Sequence, residues 1–288
     1  MLPIKHILFP IDFSERCCGA VPFVQFVART FDSKITLMSV GHPFYPVGVG
    51  DADGSLTMDD GVVLRELKAR LAGALTHEFG DLEVERVAEL GDPATVIAEF
   101  AHTNGVDLVM MPTHGYGPFR SLLLGSVTAK VLHDTECAVW TAAHVEERPC
   151  QGHIACRSVL CAVDGTPKSV PLMQWAADYA GRLGAMLRLV HVIPFVEGRY
   201  AKRMDAASEK ELRHETQEQI ARMQTSAGVV APLCIIIGNI AEGVREEAQR
   251  HGADLVVIGR GILHETLGRL RTHAYGIIRQ SPCPVLSI

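Results

Sequence analysis

Residues 6–44 read HILFPIDFSERCCGAVPFVQFVARTFDSKITLMSVGHPF, and this stretch contains the unit from which the fold is built. The apolar run Ile7–Ile11 is nearly continuous, as in a strand that is covered on both faces. A helical period of apolar residues begins near Ser14, and a second apolar run follows at Ile35–Val40. A strand, a helix and a strand in this order predict parallel pairing through a right-handed connection.

The second half of the chain repeats this unit. Residues 158–195 give the same order of apolar run, Asp, polar turn, amphipathic helix and apolar run. Residues 91–112 align without a gap with residues 238–259, which indicates a duplication. Within the first of these segments, Asp92 followed by Pro93 predicts the start of a helix, because Asp caps helices and Pro suits their first position.

The repeat divides the chain into a first domain at 1–143 and a second domain at 154–288, joined by a polar segment. Each domain alternates strands with helices. The sequence therefore predicts an α/β protein with two tandem open parallel-sheet domains, each doubly wound. Residues 45–59 are expected to form a flexible loop, and residues 199–226 a long helix with a charged, solvated face.

Composition narrows the function classes. The 288 residues carry a formal charge of −6 and a pI near 6.1, which argues against a nucleic-acid binder. We find no signal peptide and no apolar run of the roughly 18 residues that a membrane span needs, so we expect a cytoplasmic protein. The eight cysteines form no CxxC pair, which predicts free thiols and no zinc site.

Open parallel sheets bind ligands at the carboxyl ends of their strands. Asp12 follows the first strand, Ser39 and Val40 end the second, and residues 112–126, PTHGYGPFRSLLLGS, lead from the fourth strand into a helix. The glycines of this segment let backbone amides approach a ligand closely, with φ values that other residues avoid. The following helix presents unpaired N–H groups and the positive end of its dipole. The segment therefore fits an anion site, and a tight turn is the alternative.

The segment resembles the universal stress protein family, whose ATP-binding members carry Gly, two residues, Gly, nine residues and then Gly-Ser or Gly-Thr. Gly115, the nine residues YGPFRSLLL and the pair Gly125-Ser126 match the last three elements. The first glycine of the motif is Pro112 here, so any hydrogen bond that the family makes from that amide is missing. The resemblance extends over both copies and implies that each has a doubly wound, adenine-nucleotide-binding-like fold.

The resemblance implies an ATP site in the first domain, with ADP or AMP as alternatives and Mg²⁺ as a companion of the phosphates. Asp12 and the backbone of Val40 are expected near adenosine, and the start of the helix near the triphosphate. The implied site residues are Pro10, Ile11, Asp12, Ser39, Val40, Met111, Pro112, His114, Gly115, Gly125, Ser126 and Val127. No residue is assigned to catalysis or to direct metal binding.

The second domain is predicted to have a degenerate site. Asp164 persists, but Ile262 replaces Gly115, and Arg271 with Thr272 replaces Gly125 with Ser126. An arginine side chain at that position would crowd the path of a phosphate. We expect this domain to bind ATP weakly or not at all.

Three functions stay open at this stage. The first is a nucleotide-binding stress or regulatory protein with little or no catalysis, whose state a protein partner of unknown identity reads. The second is a slow ATPase. The third is a dimerisation scaffold without nucleotide, since Ala138–Thr141 and Val285–Ile288 are apolar edge strands. Family members typically dimerise through this strand, which implies pairing of the two copies within the chain and a homodimer of chains.

The residues also have simpler interpretations. Asp12 and Ser126 would each serve as a helix cap without any ligand. His114 would be an ordinary loop histidine. An adenylating enzyme of related architecture is disfavoured, because the segment after the first strand, FPIDFSERCC, lacks a Ser-Gly-Gly pyrophosphatase loop.

Overall fold

The computed structural model describes residues 4–42, 60–113, 124–142, 154–194, 205–260 and 270–288. The first copy contains β1 (His6–Pro10), α1 (Glu15–Phe31), β2 (Lys34–Gly41), α2 (Asp60–Gly73), β3 (Val84–Leu90), α3 (Pro93–Thr103), β4 (Leu108–Pro112), α4 (Ser126–Asp134) and β5 (Ala138–Ala142). The second contains β6 (Ser158–Val163), α5 (Ser169–Leu183), β7 (Met186–Pro194), α6 (Ala206–Ala227), β8 (Leu233–Gly238), α7 (Ile240–Arg250), β9 (Leu255–Ile258), α8 (Leu270–Gln280) and β10 (Val285–Ser287).

The described strands form one sheet in the order β3-β2-β1-β4-β5-β10-β9-β6-β7-β8. Neighbouring strands within each copy are parallel, whereas β5 and β10 pair antiparallel. The strand order reverses beside β1 in the first copy and beside β6 in the second, which is where doubly wound sheets leave a crevice for ligands. The predicted fold class is confirmed.

Two apolar cores cover the two faces of the sheet. Leu8 and Phe9 are neighbours in sequence and fully buried, but they lie in different cores because successive strand residues point to opposite faces. Helices α1, α2, α5 and α6 pack on the core that contains Phe9. Helices α3, α4, α7 and α8 pack on the core that contains Leu8. Burial on both faces explains why the strands read as continuous apolar runs.

Local sequence signals mark the helix boundaries. The Asp92 side chain accepts a hydrogen bond from the Thr95 amide at 3.1 Å, and Pro93 follows as the first helical residue, which confirms the predicted cap. The predicted charged helix corresponds to α6, which begins at Ala206 after the capping residue Asp205. The predicted loop at 45–59 lies outside the described residues.

The two copies meet along β5 and β10, where Trp140 lies opposite Leu286. On one face of the sheet, the rings of Phe31 and Tyr179 stack with centroids 5.2 Å apart. On the other face, the Tyr275 hydroxyl donates to the Ala129 carbonyl at 3.1 Å. The contact between the copies is therefore made by the sheet and by helices on both of its sides.

Arg260, which follows β9, adds a charged contact between the copies. Its guanidinium donates to the carbonyl oxygens of Leu132, Thr135, Glu136 and Cys137 at the end of α4. These carbonyls have no partner within the helix, and a cation suits the negative end of the helix dipole. Burial lowers the pKa of the arginine.

Removing this contact tests its role in holding the copies together. We expect Arg260→Ala to lower the free energy of unfolding by about 2 to 3 kcal/mol, because partly buried carbonyls lose a charged donor. Arg182→Ala is the matched control, since the exposed Arg182 also donates across the copies, to the Thr30 carbonyl at 3.2 Å. Its loss should cost at most about 1 kcal/mol. Urea unfolding measures both, and equal losses would contradict the assigned role.

Candidate functional site

Asp12 lies just beyond β1 in the turn that leads into α1. Its Oδ1 atom accepts hydrogen bonds from the Ser14 amide at 3.0 Å and from the Cys17 thiol at 3.0 Å. Burial and the Asp12 charge raise the pKa of Cys17 to about 12, which keeps the thiol protonated as a donor. The carboxylate therefore shapes the turn, and the residue stays exposed at the strand end. The interpretation of Asp12 as a helix cap is wrong, because the N-cap of α1 is Ser14 and no side chain caps this helix.

The residue after Asp12 has an uncommon backbone conformation. Phe13 has φ of 61°, in the left-handed region that non-glycine residues rarely occupy. The corresponding residue of the second copy is Gly165, with φ of 76°. The guanidinium carbon of Arg70 lies 4.1 Å from the centre of the Phe13 ring, which is cation–π geometry. The turn thus demands a positive φ in both copies, and the first copy meets it with a large side chain.

The end of β2 borders the same edge. The Ile11 amide donates to the Met38 carbonyl at 2.7 Å, and the buried Ser39 hydroxyl donates to the Ile11 carbonyl at 3.1 Å. These bonds hold the β1 end against β2. The Ser39 proton is committed to the backbone, so the structure gives Ser39 a positioning role. Val40 follows and is half-buried.

Hydrogen bonds fix the start of α4 to the end of β4. The Gly125 amide donates to the Thr113 carbonyl at 2.9 Å, and the buried Thr128 hydroxyl donates to the Pro112 carbonyl at 3.2 Å. Thr113 is tied in turn to Ala142 of β5, since both its amide and its hydroxyl lie 3.2 Å from that carbonyl oxygen. The helix start is therefore placed rigidly beside the strand end.

The expectation of an unusual φ is wrong at Gly125. This residue is the N-cap of α4 with φ of −56° and ψ of 142°, angles that any residue adopts. Its amide is used by Thr113, so it cannot donate to a ligand. No side chain caps the helix. At the helix start, the amides of Ser126, Val127 and Thr128 have no acceptor within the helix. Ser126 is exposed, Val127 is half-buried and Thr128 is buried.

The other predicted residues divide into two groups. Pro10, Ile11, Met111 and Pro112 are buried at the ends of β1 and β4, which pair directly, so the structure brings these strand ends together. His114 and Gly115 lie outside the described residues.

A charged cluster connects the start of α3 to the middle of α4. The Lys130 ammonium lies 2.8 Å from the Asp92 carboxylate and donates to the Thr95 hydroxyl at 2.8 Å. The hydrogen bonds from Lys130 and Thr95 hold the pKa of Asp92 well below its usual range, and Asp92 raises the pKa of Lys130. The sequence identified Asp92 as a cap but did not indicate its contact with Lys130, which lies 38 residues away.

The sequence also gives no sign of the roles of Thr113 and Thr128. Both hydroxyls are buried, and both donate to carbonyl oxygens at strand ends. A threonine directly after a strand and another in the first turn of the next helix were the available signals. The sequence alone does not distinguish such an anchoring threonine from an ordinary core or surface threonine.

The second copy builds the same edge with different side chains. Asp164 Oδ1 accepts from the Thr166 amide and hydroxyl and from the Ser169 hydroxyl, at 2.8 to 2.9 Å. Desolvation raises the pKa of Asp164, but these hydrogen bonds outweigh it and lower the pKa overall. His191 takes the place of Ser39, and its Nδ1 donates to the Val163 carbonyl at 2.8 Å.

Neither a metal-binding cluster nor a membrane-spanning helix is found in the part of the chain that the structure describes. Within the residues that the structure describes, no group of three or more His, Cys, Asp or Glu side chains is arranged to hold a metal ion. In the same part of the chain, every helix is too short or too polar to cross a bilayer.

Comparison with known proteins identifies the family. The model of the universal stress protein family matches residues 3–142 and again residues 156–288. The chain belongs to the universal stress protein family. It is a tandem member, because the two matches lie side by side and together span nearly the whole chain.

Individual relatives agree with this family. Universal stress protein MJ0531 of Methanocaldococcus jannaschii is 28% identical over 137 residues, which is 47% of this chain and 79% of that protein. A universal stress protein from Archaeoglobus fulgidus has a TM-score of 0.64 at 19% identity, over 100% of this chain and 97% of that one. Protein PA1789 from Pseudomonas aeruginosa, whose function is unknown, has a TM-score of 0.65 at 19% identity, over 99% and 92%. The two structures show the shared fold.

The conformation of Phe13 generates a stability prediction. We expect Phe13→Gly to be more stable than Phe13→Ala by about 1 kcal/mol, because only glycine adopts a positive φ without strain. In the exposed helix position Ala69, the order should reverse, so that Ala69→Gly destabilises by about 1 kcal/mol. Urea unfolding of the three variants measures the difference. An alanine variant as stable as the glycine variant at position 13 would contradict the strained turn.

Proposed function

We propose that this universal stress protein binds an adenine nucleotide in its first copy and works as a regulatory protein of the stress response. The nucleotide lies at the carboxyl ends of β1 and β4, with its phosphates at the start of α4. ATP is the proposed ligand, and ADP and AMP compete for the same site. Family membership and the geometry of the strand ends support the proposal.

The observation that carries the proposal is the start of α4. It has no side-chain cap, and hydrogen bonds from Gly125 and Thr128 hold it beside the end of β4. A helix start with outward amides favours anions, with about 0.3–1 kcal/mol for each charge interaction. Because Gly125 donates internally, the proposed phosphate donors are the Ser126 amide and hydroxyl and the Val127 amide.

We infer little or no catalysis at this site. Hydrolysis would need a group that positions water near the terminal phosphate, and the sequence offers no P-loop lysine motif. Mg²⁺ would arrive bound to the phosphates. A slow ATPase is the alternative, and steady phosphate release that is lost together with ATP binding would support it.

The proposal also covers the oligomeric state of the chain and its protein partner. Pairing of β5 with β10 occupies, within one chain, the strand edges that would otherwise be available for dimerisation. A homodimer of chains would therefore use another surface. Light scattering of the purified chain measures its molar mass and so shows whether a dimer forms. We propose the cytoplasm as the location and an adenine nucleotide as the signal that a protein partner reads.

Replacing Ser126 with Asp tests the phosphate site. We expect Ser126→Asp to weaken ATP binding by at least about tenfold, because the new carboxylate repels the phosphates at close range. The same charge at a helix start stabilises the helix, so the melting temperature should stay equal or rise. Calorimetric titration with ATP measures the affinity.

Ser208→Asp is the matched control. Ser208 is exposed in the first turn of α6, so the variant adds the same charge at another helix start. ATP affinity should not change in this variant. Unchanged affinity in Ser126→Asp, or an equal loss in Ser208→Asp, would refute the assignment of the phosphates to α4.

A further inference from the structure

The second copy contains a cavity at the carboxyl ends of β6, β7 and β9. Its volume is about 370 Å³, which lies within the range of small-molecule sites. The cavity reaches between the sheet and helices α7 and α8. The sequence predicted only a degenerate nucleotide site here, so the cavity requires its own explanation.

The interior of the cavity is aliphatic. Its lining includes Ala162, Val190, Val192, Val244, Ile258 and Ile277. Most of these residues belong to the core on this face of the sheet, so the cavity is an extension of that core toward solvent. Such walls favour an apolar group and offer no partner for a polar one.

The mouth of the cavity is polar and carries a net positive charge. Lys168 and Arg260 contribute cations, and Asp164 contributes the opposing carboxylate. The Arg260 guanidinium donates to neutral carbonyls of α4, and among the described residues no carboxylate lies within ion-pair distance of it. The Asp164 carboxylate accepts three hydrogen bonds from Thr166 and Ser169.

Helix α5 adds to the positive electrostatic potential at the mouth of the cavity. It begins at Ser169 on the rim and directs the positive end of its dipole there. His191 forms part of the wall, with Nδ1 committed to the Val163 carbonyl. The mouth therefore suits one anionic group. The aliphatic interior suits an apolar chain attached to this anionic group.

The size of the cavity restricts the ligand further. The volume of about 370 Å³ lies near the lower end of the range of small-molecule sites, which favours a small ligand. A nucleoside triphosphate is much larger. In this copy, Arg271 and Thr272 also replace the Gly125-Ser126 pair of the first copy.

We propose that the second copy binds a small amphiphilic monoanion, such as a medium-chain carboxylate, with its apolar body among the aliphatic side chains and its acidic group at the Lys168 side of the mouth. This site is separate from the nucleotide site proposed for the first copy. The inference does not depend on nucleotide binding.

Decanoate is a suitable probe, with decanol as the uncharged match, each used below its solubility limit. Calorimetric titration of the full chain should give about one decanoate per chain, with decanol bound more weakly. Ala162→Phe and Ala274→Phe each place a ring in the cavity, and each should weaken decanoate binding by at least about tenfold. Two filling variants guard against a folding defect in one of them, which the melting temperature reports.

Lys168→Ala tests the acidic group. It should weaken decanoate binding about twofold to fivefold, as expected for an exposed charge pair, and leave decanol binding unchanged. Lys210→Ala, at an exposed lysine of α6, is the control and should change neither ligand.

Three results would overturn the proposal. The first is absence of decanoate binding to the natural chain. The second is unchanged binding in both filling variants. The third is displacement of decanoate by ATP in the Ser126→Asp chain, since this would make the cavity a nucleotide site. Loss of ATP binding in Ser126→Asp with decanoate binding retained would show that the two sites are separate.

Discussion

Strands β5 and β10 carry the backbone hydrogen bonds that join two parallel half-sheets, and their antiparallel pairing decides where the carboxyl ends of the strands of each copy lie. All strands within one copy run parallel, so the antiparallel pairing of β5 with β10 makes the strands of the two copies run in opposite directions. Their carboxyl ends therefore lie at opposite ends of the sheet, measured along the strands. Helix α4 lies beside the seam. Its start adjoins the carboxyl ends of the strands of the first copy. Its last carbonyls accept hydrogen bonds from Arg260, at the carboxyl ends of the strands of the second copy.

The two copies show how one backbone supports different chemistry. The carbonyl of Ile11 accepts from Ser39, and the corresponding carbonyl of Val163 accepts from His191. Both donors hold the end of the first strand to its neighbour, but the imidazole occupies more of the edge. At the end of β9, Arg260 stands where the first copy has Thr113, and its amide keeps the equivalent bond to the last strand. The strand framework is retained while the exposed edge changes.

Much of the fold was predictable because it depends on local patterns that repeat. Apolar runs predicted the strands, and the Asp92-Pro93 pair predicted a helix start that the structure confirms. The details of the site depend on contacts between residues far apart in sequence. Arg260 reaches carbonyls more than 120 residues earlier, and no local pattern reports such a partner. The presence of glycine suggested an unusual φ at Gly125, whereas its cap angles are ordinary. The roles of His114 and Gly115 stay predictions.

The central claim is that the first copy holds one adenine nucleotide and the second copy holds none. The most direct measurement is to denature the purified full chain and to count the released nucleotide per chain by chromatography and mass spectrometry. The account predicts about one ATP or ADP per chain, as expected for a single phosphate-binding helix start. Two per chain would contradict the distinction between the copies. A chain that carries none and binds no added ATP would contradict the nucleotide site itself.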